Sequence, residues 1–133
     1  MDIRGGLRGD RGAATAEAVL ATPLLLLLVL GIVQFAVWAH ATHIAQTAAA
    51  QALNTARAEG ATAADGHAQA RALLAQLGHT VLTNPHITVT RSARTAQARV
   101  SGRAEQIVPW LRLPVRAAAD GPVERWTTST EIP

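Results

Sequence analysis

The chain has 133 residues, no cysteine and no lysine, and its twelve basic residues are all arginine against nine acids, a formal net charge of +3. Without cysteine there is no disulfide, no thiolate metal site and no thiol nucleophile, and so small a charge excess is a weak draw for a polyanion. Hydrophobic residues make up 49% but aromatic ones only 3%, and an alanine-rich chain this short is not expected to enclose a deep enzyme pocket.

Residues 1–12 are Gly-rich and polar, with Arg4, Arg8 and Arg11 set against Asp2 and Asp10. They show no periodicity and read as a leader without regular structure. Residues 18–39 carry no formal charge and include five consecutive leucines, Leu24 to Leu28. At about 1.5 Å per residue this stretch reaches about 33 Å, enough to cross a hydrocarbon core of about 30 Å. Trp38 stands at its end, where an interfacial aromatic is expected. Three arginines precede the span and the next basic residue after it is Arg57. The positive-inside bias therefore predicts a single-pass protein with its N-terminus in the cytoplasm and the rest outside.

No Asp, Glu or Arg occurs from Ala18 to Ala56. Ala41, Ala45, Ala48, Ala52 and Ala56 recur at helical spacing, with His43, Thr47, Gln51 and Asn54 on another face. The pattern predicts one helix over 13–59, with its transmembrane part at about 18–39, Gly60 as its C-cap and a kink at Pro23. A second helix is predicted after Thr62, which forms a capping-box pattern with Asp65. Ala70, Leu73, Leu74 and Leu77 are its apolar face and Gly78 its stop.

The remainder reads as strands. Ile87 and Val89 mark one over 87–91, and Ser92 to Arg94 is the turn after it. From Thr95 to Glu105 polar and small apolar residues alternate without a break, the period-two signature of a half-buried strand. Residues 106–114 form a loop with two prolines and Trp110. Val115, Ala117 and Ala119 suggest a third strand, and Asp120-Gly121-Pro122 reads as a turn. The Thr-, Ser- and Pro-rich end of the chain is expected to be loose. The fold class is α+β: a long N-terminal helix continuing into a small extracytoplasmic head, residues 60–133, with a short helix and a three- to four-stranded antiparallel sheet.

Glu17 lies directly before the apolar run. As an interfacial charge it would favour the helix N-terminus. A second role opens if the chain is cut between Gly12 and Ala13. The new α-amino group, largely charged at neutral pH, would lie one turn from Glu17 or pair with that of a neighbouring subunit. In a low dielectric an unpaired carboxylate gains strongly from such a partner.

The basic, Gly-rich leader ending Arg11-Gly12, the acid Glu17, Pro23 and the leucine run to Gly31 resemble the class III signal of type IV pilin-like proteins. More closely, residues 9–60 resemble the TadE-like minor pilins, or pseudopilins, of the tight-adherence (Tad) pilus system. The resemblance is specific over about fifty residues and stylistic after them. It implies a non-enzymatic pilus-assembly protein at the membrane or cell surface. It implies cleavage at Gly12–Ala13 by a prepilin peptidase, and subunit assembly through Glu17. Its partners would be the membrane, the peptidase and other pilin-like subunits.

Rival readings come from the same residues. Ala39-His40-Ala41 fits the small-x-small rule of a secretory signal cut after Ala41, but the apolar run exceeds the 7–15 residues of an h-region. A plain membrane anchor with a small extracytoplasmic binding domain shares the topology and needs no assembly. His40 and His43 share a helix face, yet no HExxH or carboxylate cluster accompanies them. No catalytic residue, metal, cofactor or small-molecule substrate is expected. Arg91, Arg94, Arg99, Arg103, Arg112, Arg116 and Arg125 lack interleaved aromatics and are expected on a solvated surface, with no nucleic-acid partner.

Overall fold

In a computed structural model of the chain, the backbone is described from Gly6 to Thr127 and the side chains from Arg11 to Thr127. The first five residues of the expected leader and the expected loose end, 128–133, lie outside the described residues. The elements in order are α1 (Gly6–Arg57), α2 (Ala63–Leu77), β1 (Leu82–Arg91), β2 (Thr95–Ala104) and β3 (Pro114–Pro122). The α+β class expected from the sequence is the class observed.

Helix α1 has 52 residues, about 78 Å at about 1.5 Å per residue. It begins at Gly6 rather than Ala13, so the second half of the expected leader is helical. It ends at Arg57 rather than Glu59. Gly60, expected as the C-cap, lies three residues further on and takes a left-handed φ of 76° in the following turn. The end of α1 is closed from outside the helix, because Arg91 Nη1 donates to the carbonyls of Ala56 and Ala58. A cation there also complements the helix dipole.

The C-terminal half of α1 is the spine of the core. Ala41, Ile44, Ala45, Ala48, Ala49, Ala52, Leu53 and Ala56 are all buried, at alternating spacings of three and one. That is the stripe of an amphipathic helix with alanine in most positions. Alanine presents little apolar area, so stabilisation comes from close approach of the neighbouring backbones and the dispersion it allows. Helix α2 shows how close this is. A Cβ added at Gly66 would stand 2.7 Å from the Ala52 carbonyl oxygen and 2.9 Å from the Ala56 Cβ.

Helix α2 begins with the capping box expected from the sequence. The Asp65 N–H donates to Thr62 Oγ1, and the Thr62 N–H donates to Asp65 Oδ2 at 2.7 Å. The hydrogen bonds from Thr62, first the backbone and then the hydroxyl, hold the Asp65 carboxyl below the usual carboxylate range. Gly78 is the C-cap, and its N–H donates to the Leu74 carbonyl. Ala70 and Leu74 are buried and Leu73 packs against the core, but Leu77, expected on the same face, is exposed.

The sheet is antiparallel with strand order β1-β2-β3. In β2, Ala96, Ala98, Val100 and Ala104 point inward and Arg99 and Arg103 outward, as the alternation requires. The hairpin turn falls at Ser92–Arg94, where the Ser92 N–H donates to the Thr95 carbonyl. Strand β1 starts at Leu82, five residues before the sequence suggests. A bulge sets Asn84 and Pro85 against Gly102, with Asn84 at φ 49°. The bulge brings the Thr83 carbonyl to 2.9 Å from where a Cβ at Gly102 would stand, which fits glycine there. Asp120-Gly121-Pro122, read as a turn, instead completes β3 opposite Gln97, Ala96 and Thr95. Both helices pack on one side of this sheet.

The Gly66 contact gives a test. Gly66→Ala is expected to lower stability by about 1–3 kcal/mol through overpacking, read as a lower midpoint of denaturant unfolding. Gly31→Ala, where an added Cβ meets nothing within 4 Å, should leave the midpoint unchanged or raise it.

Candidate functional site

The N-terminal half of α1 receives no such cover. Val19, Leu20, Leu24 to Leu28, Val29, Ile32, Val33 and Phe35 are all exposed. Leaving one such side chain in water forfeits about 1.5–3 kcal/mol relative to burial, so this surface requires lipid or another protein. By length and composition α1 can cross a membrane, and it is a transmembrane helix in that sense.

The residues singled out in the sequence lie on this bare stretch. Gly12, Ala13 and Glu17 are exposed, and the Gly12–Ala13 bond is inside the helix rather than before it. Ala13 and Glu17 are four positions apart, neighbours on a helix surface at about 5–6 Å between Cβ atoms. Arg11, Gly12, Thr15, Ala16, Val19 and Leu20 line a shallow groove along one side. Among the described residues the single ion pair is Arg57 with Glu124 at 3.7 Å, and Glu17 makes none with them. Gly9 and Gly12 each cost the helix about 1 kcal/mol relative to alanine. Unwinding here to present an extended backbone is therefore cheaper than in the leucine run.

Pro23 lies within α1 and has no N–H to give to the carbonyl of Val19. One residue earlier, the Thr22 hydroxyl donates to the Ala18 carbonyl at 2.7 Å. Thr15 makes the same kind of bond to Arg11 at 2.8 Å. The Thr22 bond shields a helix carbonyl within the apolar run, where water is scarce.

The bare stretch ends at a residue that sequence reasoning missed. Gln34 is 1% exposed, the only buried polar side chain among the described residues. Its Nε2 donates to the Glu105 carbonyl at 3.0 Å. Its Oε1 accepts from the Ile107 N–H at 2.8 Å and the Val108 N–H at 3.0 Å. One side chain thus fixes the loop after β2 to the helix. One turn further, Trp38 Nε1 donates to the Pro114 carbonyl at 3.1 Å. Trp38, expected as an interfacial aromatic, is half-buried and ties the start of β3 to α1. The available signal was a lone amide in an otherwise apolar run.

Other sequence features are not brought together. Among the described residues no group of three or more His, Asp or Glu could hold a metal ion. Arg99 and Arg103 lie on the outer face of β2, and Arg116 pairs opposite Ser101. The bond after Ala41 lies within α1 at the first fully buried alanine of the core stripe.

Gln34→Leu would leave the Ile107 and Val108 amides and the Glu105 carbonyl without their partner, at about 1–3 kcal/mol for each buried group left unpaired. Amide hydrogen exchange of the reconstituted protein should show lost protection at Ile107 and Val108. Protection in the centre of β2 should persist.

The comparisons with known proteins bear on the same helix. The family model described as TadE-like protein matches residues 12–54. The match contains Gly12, Ala13, Glu17, Pro23 and Gln34 and ends before the turn into α2. Searches among curated proteins and among solved structures each found no match.

Proposed function

From a chain that is TadE-like over residues 12–54, we propose a structural or assembly subunit, a minor pilin or pseudopilin, of a Tad-type pilus. The observation that carries this reading is the bare apolar half of α1, continuous with a helix half whose buried seam packs on the head. Such a helix can reside in the bilayer as a monomer. It can also leave lipid for a bundle of like helices, with its apolar surface covered in both states. Residues 1–12 are the cytoplasmic leader and residues 60–133 the extracytoplasmic head, by the arginine asymmetry around the span.

In this reading a prepilin peptidase cuts after Gly12. The charged α-amino group of Ala13 then pairs with Glu17, within one subunit or from a neighbour. In lipid an unpaired Glu17 is costly, so a neighbour that supplies the amine gains the pair as well as the apolar contact. Pro23 gives the helix a weak point at which it adjusts to its neighbours. No step requires a catalytic group or cofactor on this chain.

Two measurements test the reading. Intact mass and N-terminal sequencing of the protein from its native membrane should give a chain starting at Ala13. A Met1 start would instead mark a permanent single-pass anchor, and a Thr42 start a secreted head. Separately, Glu17→Ala should leave membrane insertion intact and reduce co-purification with other pilin-like subunits by severalfold. Undiminished co-purification would remove Glu17 from assembly.

A further inference from the structure

We infer that the loop between β2 and β3, residues 105–113, is a second membrane contact, with its apolar tip seated in the lipid interface beside α1. The occupant of this surface is the bilayer itself. The inference rests on α1 crossing the membrane and is independent of whether the protein is cleaved or assembles.

The depth follows from the helix. Seventeen positions separate Glu17 from Gln34, about 25 Å at about 1.5 Å per residue. A hydrocarbon core of about 30 Å needs about 20 residues. With Glu17 at one edge, the other edge falls near Val37, beyond the level at which Gln34 grips the loop. The loop is therefore carried to the edge of the hydrocarbon by its own anchor.

Its side chains suit that place. Trp110 is 73% exposed, and Ile107 and Leu111 are exposed with it. On the helix at the same level, Phe35 is exposed and its ring centroid is 5.7 Å from that of Trp38. Aromatic residues gather at this depth because their rings are apolar and their polar edges are not. The exposed apolar side chains of the loop are thus held by Gln34 to the level at which the bare apolar stretch of the helix ends.

Part of the loop backbone is paired, which matters in low dielectric, where an unpaired amide costs several kcal/mol. The Ile107 and Val108 N–H groups are taken by Gln34. Those of Ala104, Glu105 and Leu111 donate to Leu113, Val81 and Val108. Pro109 has no N–H, and its carbonyl accepts from the Gln106 side chain. The charged side chains nearest the loop, Arg103, Glu105 and Arg112, line one groove together.

The absence of cysteine permits a direct test. Single nitroxide labels are placed by Trp110→Cys, Leu111→Cys, Leu26→Cys and Ala93→Cys in the full chain, reconstituted in phosphatidylcholine–phosphatidylglycerol vesicles. Ala93 serves as the aqueous reference because its turn lies at the Arg57 end of α1, where the Glu124 N–H meets the Arg57 carbonyl. The measured quantity is the collision rate with oxygen, which concentrates in lipid, relative to that with a water-soluble nickel chelate. Labels at 110 and 111 should give ratios well above that at 93 and below that at 26, which lies near the centre of the span. A ratio at 110 and 111 equal to that at 93, with 26 still in lipid, would overturn the loop contact and leave the spanning helix standing. A water-like ratio at 26 would overturn both. Labels at 110 and 111 shielded from both reagents would mean that protein, not lipid, covers the loop, and would overturn the proposal.

Discussion

Close approach to one alanine stripe on α1 is the constraint on which the rest of the structure depends. Five alanines of the stripe, Ala41, Ala45, Ala48, Ala52 and Ala56, are fully buried. They contribute little area of their own, so the head has no large hydrophobic reserve to draw on. What they permit is proximity. Gly66 of α2 sits where no side chain fits, and the alanines and valines of β2 and β3 meet the helix from the other side. A larger residue on either partner would push apart elements whose contacts are already thin. The poverty in aromatics that marks the composition is the same fact seen from the sequence.

The second organising feature is that one helix serves two surroundings without interruption. Below Gln34 its surface is apolar and bare; above it the surface is divided between a buried seam and solvent. The change takes place within about one turn. Gln34 and Trp38 both turn polar groups toward carbonyls or amides of the head. The head is thereby joined to the helix at its foot as well as along its seam. At the opposite end Arg91 closes α1 and Arg57 reaches Glu124. The helix is held at both ends of the head, so the two move together.

Much of this was legible in the sequence wherever a local pattern had a single physical meaning. The uncharged run from Ala18 to Ala56 could only be a long helix. The Thr62–Asp65 box and Gly78 fixed α2, and the alternation from Thr95 fixed β2 and its faces. What escaped notice depended on partners distant in sequence. Asn84-Pro85 breaks a strand pattern, and only the bulge opposite Gly102 lets β1 continue through it. Asp120-Gly121-Pro122 has turn composition, but a ladder with Thr95 to Gln97 holds it extended. Leu77 has the right spacing for a core position but is exposed, while Leu74 and Gly78 on either side of it are buried. Gly12, Ala13, Glu17 and Pro23 were singled out by their order along the chain. Gln34 was passed over because its partners are more than seventy residues away.

Among the described residues the sheet has two unpaired edges, one on β1 and one on β3, and such edges invite strands from other molecules. Here each is interrupted. The β1 edge carries the bulge, the left-handed Asn84 and Pro85, while β3 begins and ends in proline. A proline offers no donor to an incoming strand, and a bulge twists the row of acceptors out of line. Tethered to a membrane, heads of this kind are confined to a plane and collide side by side far more often than they would in free solution. The blunted edges discourage those collisions from growing into continuous sheet, leaving the surface free to crowd without the heads coalescing.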